Sequence, residues 1–280
     1  MPVKDVLLPL LGEPNKPALA AIEACVAVAA DLGARITAFA IEDNAHTRPK
    51  VLIWPDVGDA AEPRGLPDAT DAQQLLNACR NAASRLGIRA DGRVYGLQAD
   101  MIATTLAEQA RYKDLTLVPV KPHHSRSERI VDTLIFESGR PLLLCPEALA
   151  GDLRPRFENV MIAWDGSSRA ARAVADAMPI LQAAGSVRLV TVTDEKSEAT
   201  TRSGNALVDH LREHRVFTAL ETVKIDGSSI GKVLGSWAQA HEIDAIVMGA
   251  YHHSRLNETV WGGVTKTVIG EPPCWVMMSH

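Results

Sequence analysis

The chain has 280 residues, of which 46% are hydrophobic and 22% charged, a composition typical of globular proteins that excludes extensive disorder. A net charge of −5 and an isoelectric point near 6.0 exclude a general affinity for nucleic acid or for an anionic membrane. No apolar run approaches the roughly 20 residues that a membrane-spanning helix needs.

The first residues of the chain favour a β-strand over a secretory signal. The stretch MPVKDVLLPLLGEPNKP carries one lysine, and Pro9 interrupts its short apolar run. A secretory signal would need a longer apolar core and a cleavage site of small residues. We therefore expect the chain to begin with a buried strand.

The four cysteines favour free thiols over disulfides or a metal site. They form no CxxC pair, and each has apolar neighbours in the sequence. Apolar surroundings are typical of buried, reduced cysteines, so we expect a cytoplasmic setting. The residues are Cys25, Cys79, Cys145 and Cys274.

Apolar runs and amphipathic segments alternate through the first half of the sequence. Residues 43–67, rich in Pro, Gly and Asp, predict a loop insertion between the second strand and the second helix. The predicted strands lie near 4–10, 35–41, 91–97, 115–120 and 141–146, and the predicted helices near 16–32, 68–86, 99–112 and 128–138.

The same alternation recurs in the second half. Ser167 is a candidate N-cap for an Ala-rich helix, in which Pro179 should produce a kink or an early end. Ser228 or Ser229 should cap a later helix, after a turn at Asp226-Gly227. The predicted strands are NVMIAWD (159–165), SVRLVTVTDE (186–195), TALETVKI (218–225), DAIVMG (244–249) and PCWVMM (273–278), and the helices between them include 201–215 and GGVTKTVIG (262–270). Regular β-α alternation predicts a parallel, doubly wound sheet.

The two halves of the sequence form an internal repeat. The tetrapeptide HHSR occurs at 123–126 and again at 252–255, which is 129 residues later. Asp114 and Asp244 precede matching apolar strands and lie 130 residues apart. The chain is therefore predicted to contain two related domains, at 1–150 and 155–280.

The carboxyl ends of the second-half strands are the predicted ligand site, because open α/β sheets bind ligands there. Asp165, at the end of the first strand, could accept a hydrogen bond from a ribose hydroxyl or hold a cation. Gly262-Gly263 opens a helix, where free N–H groups and the helix dipole favour an anion, although such a pair also fits simple helix capping. Thr265 would add a hydroxyl donor.

The stretch IVMGAYHHSRLNETVWGGVTKTVI (246–269) resembles the universal stress protein family. ATP-binding members of that family have the motif G-x2-G-x9-G-[S/T] at this position. The strand VMIAWDGS (160–167) is similar to the family's first strand, whose terminal Asp meets the nucleotide. VRLVTVTDE (187–195) is similar to its second strand, whose Val touches adenine.

The resemblance covers nearly the whole chain and implies a specific fold. It implies an α/β protein of two tandem Rossmann-like (adenine nucleotide alpha hydrolase-like) domains, each with a five-stranded parallel sheet flanked by helices. It also implies that the two domains pair through their edge strands, near 141–146 and 273–278, as two subunits of the family's homodimer do. A further homodimer of the tandem chain is compatible with this arrangement.

The resemblance also implies a set of ligand-binding residues in the second half. Asp165 would meet ribose or a metal ion, and Val192 would pack on the base, while the others would line the phosphate path. The complete set is Asp165, Val192, Met248, Gly249, His252, Gly262, Gly263, Val264 and Thr265.

Two of these residues depart from the family motif. His252 stands at the second motif glycine, where an imidazole would crowd a contact between backbone and phosphate. Gly263 stands where the family has a hydroxyl-bearing residue, so one donor is lost.

The first half departs further from the motif. Leu10-Leu11-Gly12 replaces the acidic strand end, Val120 stands where Gly249 does, and Thr133-Leu134 replaces the glycine pair. We expect this copy not to bind ATP in the family manner and to serve as a partner domain.

The HHSR motif has three interpretations. Adjacent histidines diverge on a regular backbone, and no neighbouring Cys or carboxylate completes a ligand set, which disfavours a metal site. His252, His253 and Arg255 could instead supply cationic contacts to phosphate. The interpretation favoured by the sequence is a solvated loop that marks equivalent positions in two duplicated domains.

The sequence thus predicts a tandem universal stress protein that is non-catalytic and binds an adenine nucleotide or a related small ligand in its second half. ATP or AMP is the expected ligand, with Mg²⁺ accompanying ATP, and no catalytic or metal-ligating residues are assigned. Two alternatives stay open: a scaffold of the same fold that has lost nucleotide binding, and a slow ATPase. Neither a nucleic acid nor a membrane is expected as a partner.

Overall fold

A computed structural model describes residues 2–12, 16–43, 70–149, 157–193, 198–225, 227–250 and 261–280. Within these ranges strands and helices alternate, as the sequence predicts. The elements of the first half are β1 (Asp5–Leu11), α1 (Leu19–Asp31), β2 (Arg35–Asp43), α2 (Asp71–Leu86), β3 (Ala90–Leu97), α3 (Ile102–Ala110), β4 (Leu115–Val120), α4 (Ser125–Glu137) and β5 (Leu142–Pro146), followed by a 3-10 turn at Glu147–Leu149. The elements of the second half are β6 (Asn159–Ala163), α5 (Ser168–Ala183), β7 (Ser186–Thr193), α6 (Glu198–Glu213), β8 (Leu220–Lys224), α7 (Ile230–Ala240), β9 (Ala245–Gly249), α8 (Trp261–Gly270) and β10 (Trp275–Ser279).

The ten strands of the described residues form a single sheet in the order β3-β2-β1-β4-β5-β10-β9-β6-β7-β8. All neighbouring strands within each half are parallel. At the centre β5 and β10 run antiparallel, with Leu144 opposite Val276. The predicted α/β fold class, with five parallel strands in each half, is confirmed, and the strands near 141–146 and 273–278 are neighbours in the sheet.

Both faces of the sheet are buried under helices. Val160 and Ile162 of β6 belong to a core that includes residues of α1, α2, α5 and α6. Met161, between them, belongs to a second core that includes residues of α3, α4, α7 and α8. Because successive side chains of a strand point to opposite faces, a continuous apolar run such as Val160–Ile162 supplies both cores at once.

The predicted helix caps are present in the second half. Ser167 Oγ accepts a hydrogen bond from the Ala170 amide at 3.1 Å, and Ser229 Oγ accepts one from the Lys232 amide at 3.4 Å. Helix α5 continues through Pro179 to Ala183, so the proline does not end the helix. The turn residue Asp226 lies outside the described residues.

Helix α4 begins at Ser125, three residues earlier than the sequence predicts, and takes in part of the first HHSR copy. His124 Nδ1 accepts a hydrogen bond from the Ser127 amide at 3.4 Å and caps the helix. Arg126 Nη1 lies 2.7 Å from Asp43 Oδ2 at the end of β2, and both side chains are mostly buried. This copy is therefore part of the packed structure and more than a solvated loop; the second copy, at 252–255, lies outside the described residues.

The first residue of this HHSR copy joins the two halves. His123 has a positive φ of 54°. Its amide donates a hydrogen bond to the Gly270 carbonyl at 2.8 Å, at the end of α8. The β4–α4 connection of the first half is thus anchored to the last turn of a second-half helix.

All four cysteines are buried and free. Burial raises the pKa of the Cys79 thiol to about 11 and that of Cys274 to about 12. Thiols with such pKa values stay protonated near neutral pH and are poor nucleophiles. The prediction of buried free thiols is confirmed.

No helix among the described residues combines the length and the apolar character needed to cross a membrane.

Asp114 and Asp244, which repeat 130 residues apart in the sequence, have the same structural role. Asp114 Oδ2 accepts hydrogen bonds from the amides of Lys4 at 2.8 Å and Asp5 at 3.0 Å, at the start of β1. Asp244 Oδ2 accepts a hydrogen bond from the Asn159 amide at 2.7 Å, at the start of β6. Each carboxylate fixes the first residues of one parallel strand against its neighbour.

We expect Asp114→Ala and Asp244→Ala each to lower the free energy of unfolding by about 1–3 kcal/mol, because half-buried amides at the strand start lose a charged acceptor. Urea unfolding followed by circular dichroism measures the change. Asp209→Ala is the control, since the Asp209 side chain is 72% exposed and pairs only with Arg212 on the same helix. Equal stabilities of the three variants would contradict the assigned role.

Candidate functional site

A cleft lies at the carboxyl ends of β6, β7 and β9, where α7 and α8 cover the sheet. The space within it that would admit a water molecule is about 30 Å³, so the cleft is narrow in this structure. A mostly apolar lining with few polar groups is typical of small-molecule sites. The lining residues are Ala163, Trp164, Asp165, Val190, Val192, Ile230, Leu234, Met248, Gly249, Val264 and Thr265.

Asp165 is the only ionisable residue among the described residues of this lining. It follows β6 directly, and its Oδ1 accepts a hydrogen bond from the Ser167 amide at 2.9 Å. Gly166 turns the chain with a φ of 76°. The second carboxylate oxygen of Asp165 makes no hydrogen bond among the described residues, so it can accept one from a ligand hydroxyl.

The inner wall of the cleft is apolar. Val190 and Val192 of β7 face the α7–α8 layer because they are two residues apart on one strand. Ile230 and Leu234, one turn apart on α7, close the opposite side. This wall suits a flat ring with little polar surface.

Helix α8 borders the open side of the cleft. Gly262 lies in its first turn, where backbone N–H groups have no partner within the helix. Gly263 is exposed, and a Cβ added there would meet no atom within 4 Å. Thr265 is buried, with 1% of its surface exposed. The start of this helix therefore offers amide donors to an anion.

The structure brings together most of the residues that the sequence assigns to ligand binding. Six of them line the cleft: Asp165, Val192, Met248, Gly249, Val264 and Thr265. Gly262 and Gly263 lie in the first turn of α8, next to it. His252 lies outside the described residues.

Five lining residues were not assigned from the sequence, Trp164 among them. Val190 and Ala163 could have been found because each is two residues from an assigned one and so shares its face of the sheet. Ile230 and Leu234 belong to a helical stripe that the sequence shows, but the strand that this stripe covers depends on the tertiary structure.

Gly249 has a packing role beside its place in the cleft. A Cβ at this position would lie 2.6 Å from the Ala170 amide nitrogen and 2.8 Å from the Arg169 carbonyl carbon. The first turn of α5 therefore approaches the end of β9 as closely as a glycine allows. The sequence assigned this glycine to phosphate contact alone.

Trp164 anchors the end of β6 on the face of the sheet opposite α7 and α8. Its ring packs on the core under α5 and α6, and its Nε1 donates a hydrogen bond to Ser203 Oγ at 3.1 Å. Its carbonyl accepts one from Thr191 Oγ1 at 2.7 Å. The tryptophan therefore fixes the position of the neighbouring Asp165.

The equivalent region of the first half has a different lining. Asp5 pairs with Arg35 as Asn159 pairs with Ser186, so Phe39 takes the place of Val190. Phe39 stacks on Tyr95 with ring centroids 4.1 Å apart and planes within 9°. By the same register Leu11 takes the place of Asp165, and it lines a comparable pocket at the ends of β1 and β4. This half therefore lacks the carboxylate at the end of its first strand.

Within the described ranges, no group of three or more His, Cys, Asp or Glu side chains is arranged to hold a metal ion. A cation at the cleft would therefore have Asp165 as its only carboxylate ligand from the lining.

Comparison with models of protein families identifies the family of the second half. Residues 156–280 match the model of the universal stress protein family. The second half of the chain is thus a domain of the universal stress protein family, which confirms for this half the family recognised from the sequence. No curated protein matches the chain significantly.

Two of the following three solved structures share the fold over nearly the whole chain. A universal stress protein from Archaeoglobus fulgidus DSM 4304 is 11% identical, with a TM-score of 0.68, over 98% of this chain and 95% of that chain. A protein of unknown function from Pseudomonas aeruginosa PAO1 is 13% identical, with a TM-score of 0.61, over 99% of this chain and 92% of that one. A universal stress protein in complex with cAMP is 18% identical over 45% of this chain and 98% of that chain, with a TM-score of 0.33.

We expect Gly249→Ala to lower the free energy of unfolding by about 1–3 kcal/mol, because its Cβ would overlap the backbone of α5. Gly263→Ala is the matched control: its Cβ enters open space in a helix, so stability should stay the same or rise slightly. Chemical unfolding of both variants measures the difference. A Gly249→Ala protein as stable as the wild type would show that α5 can move away from β9.

Proposed function

We propose that the chain comprises two tandem universal stress domains, 1–150 and 155–280, and that the second binds an adenine nucleotide or a related small ligand. The observation that carries this proposal is the convergence of Asp165, Val192 and the first turn of α8 on one cleft. The protein would act in the cytoplasm as a non-catalytic stress-response factor, by changing its partner interactions or by buffering its ligand. Four buried free thiols support a reducing compartment.

Each part of the cleft suits one part of a nucleotide. The apolar wall around Val190 and Val192 would pack on the faces of the base. The second carboxylate oxygen of Asp165 would accept a hydrogen bond from a ribose hydroxyl. The first-turn amides of α8 would face the phosphate groups.

ATP and AMP are the proposed ligands. Mg²⁺ would accompany ATP mainly through the phosphate oxygens, because the described part of the lining offers a single carboxylate, Asp165. The described lining residues include no histidine, lysine or cysteine that could serve as a base or nucleophile beside it, which supports a binding function over hydrolysis.

The first domain would serve as a structural partner. Its equivalent cleft has Leu11 in place of Asp165 and Phe39 in place of Val190, and β5 pairs with β10. The two domains would thus form an internal pseudo-dimer. This favours a scaffold role for the first half, and a further homodimer of the whole chain would use other surfaces.

We expect ATP, ADP or AMP to raise the thermal midpoint of the wild-type protein, by an amount that corresponds to about 2.7 kcal/mol at a ligand concentration one hundredfold above Kd. Asp165→Ala should weaken binding of each compound, and of adenosine, at least several-fold, because the ribose loses its acceptor. Asp209→Ala, on an exposed helix surface, should bind like the wild type.

Isothermal titration calorimetry with adenosine, AMP, ADP, ATP and cAMP gives the affinities, and phosphate release measured in parallel tests the ATPase alternative. Absence of binding by every compound would refute the proposal. Phosphate release in proportion to protein, lost in Asp165→Ala, would favour the ATPase.

We expect Gly263→Ser to raise the affinity for ATP several-fold, because it supplies a hydroxyl donor in the first turn of α8, where open space can accept it. Gly263→Ala controls for the effect of a Cβ on the helix itself. Adenosine affinity should be the same in both variants, and titration calorimetry measures each. An equal gain in Gly263→Ala would attribute the effect to helix stability instead.

A further inference from the structure

Arg169 is a cation in the first turn of a helix. It is the second residue of α5 and follows Asp165 by four positions. The N-terminal end of a helix carries a partial positive charge, so an arginine there is electrostatically unfavourable unless an anion lies nearby.

The guanidinium of Arg169 has an unsatisfied donor. Its Nε is buried and makes no hydrogen bond, and no carboxylate of the described residues pairs with the side chain. Arg172, one turn along the same helix, is 52% exposed and pairs with Asp176 at 2.8 Å. A buried charged donor without an acceptor is costly, so the position of Arg169 calls for an acceptor that the described protein residues do not provide.

Arg169 lies beside the cleft. Its Cβ would be 3.0 Å from a Cβ placed on Gly249, which lines the cleft at the end of β9. The first turn of α5 therefore lies against one side of that strand end, and the first turn of α8 borders the cleft on the other side. Two helix N-termini and one arginine thus surround the end of β9.

We propose that Arg169 is the residue that recognises the phosphate groups of the ligand, so that the ligand class is a nucleotide with at least one phosphate and not a nucleoside. The inference rests on the proposed nucleotide function. A guanidinium binds phosphate oxygens through two parallel, charge-assisted hydrogen bonds. Phosphate would satisfy the unpaired Nε–H and neutralise the charge at the start of α5. The guanidinium would also replace the hydroxyl donor that Gly263 lacks.

The test compares wild-type protein, Arg169→Gln, Arg169→Lys and Arg172→Gln in titrations with adenosine, AMP and ADP. We expect the wild type to bind AMP and ADP at least tenfold more tightly than adenosine. Arg169→Gln should lose most of this preference and keep its adenosine affinity within about twofold, and Arg169→Lys should be intermediate because it keeps the charge without the planar fork. Arg172→Gln should behave like the wild type.

Two further measurements separate recognition from structure. The thermal midpoint of ligand-free Arg169→Gln should equal or exceed that of the wild type, because the substitution removes an unpaired cation from the α5 N-terminus. Inorganic pyrophosphate should stabilise the wild type and not Arg169→Gln.

Equal affinities of Arg169→Gln and the wild type for AMP and ADP would overturn the assignment, as would a lower midpoint in the ligand-free variant with an unchanged phosphate preference. If no adenine compound binds, the proposed function fails, and the pyrophosphate measurement then decides the role of Arg169 by itself. Stabilisation of the wild type alone would support an anion site at Arg169, and equal stabilisation of both proteins, or of neither, would refute it.

Discussion

The cleft depends on the close contact between the end of β9 and the first turn of α5. Only a glycine at position 249 allows this approach, since a Cβ would lie 2.6 Å from the Ala170 amide nitrogen. The contact brings the Asp165–Ser167 turn, which starts α5, to the strand that leads toward α8. As a result the carboxylate, the α5 N-terminus and the α8 N-terminus surround one strand end, although they come from distant parts of the sequence. The β-α-β architecture places these groups at the carboxyl-terminal edge of the sheet. The contact between β9 and α5 sets the distances between them.

The two halves show how few residues decide the chemistry of such an edge. Both have the same strand order and the same carboxylate, Asp114 or Asp244, at the start of the first strand. In the first half Phe39 replaces a valine and stacks on Tyr95, and Leu11 replaces the aspartate. Helix α4 also starts early, and Arg126 pairs with Asp43 at the end of β2. The fold is thus kept while the carboxylate at the end of the first strand is lost.

The sequence predicted the strands well because most of them are short apolar runs buried on both faces, which needs no tertiary information. The two outer strands, β3 and β8, are only partly buried. It predicted Asp165 and Val192 because each ends such a run at the ligand-binding edge. The early start of α4 was missed because His124, an uncommon N-cap residue, takes the capping role. The sequence did not indicate a role for Arg169, because an arginine near the start of a helix with polar residues is usually exposed to solvent. Its lack of an acceptor and its contact with Gly249 arise only from tertiary packing.

Helix α8 links the cleft to the rest of the molecule. Its first turns border the ligand side, where Val264 and Thr265 line the cleft, and its last residue, Gly270, accepts a hydrogen bond from the amide of His123 in the first half. Since His123 takes a left-handed conformation to make this bond, the first HHSR copy has a specific structural role at the junction. The antiparallel pairing of β5 with β10 lies beside it. The first half therefore restrains the far end of the helix whose first turns border the cleft, so the contact between the halves and the geometry of the cleft are connected through α8.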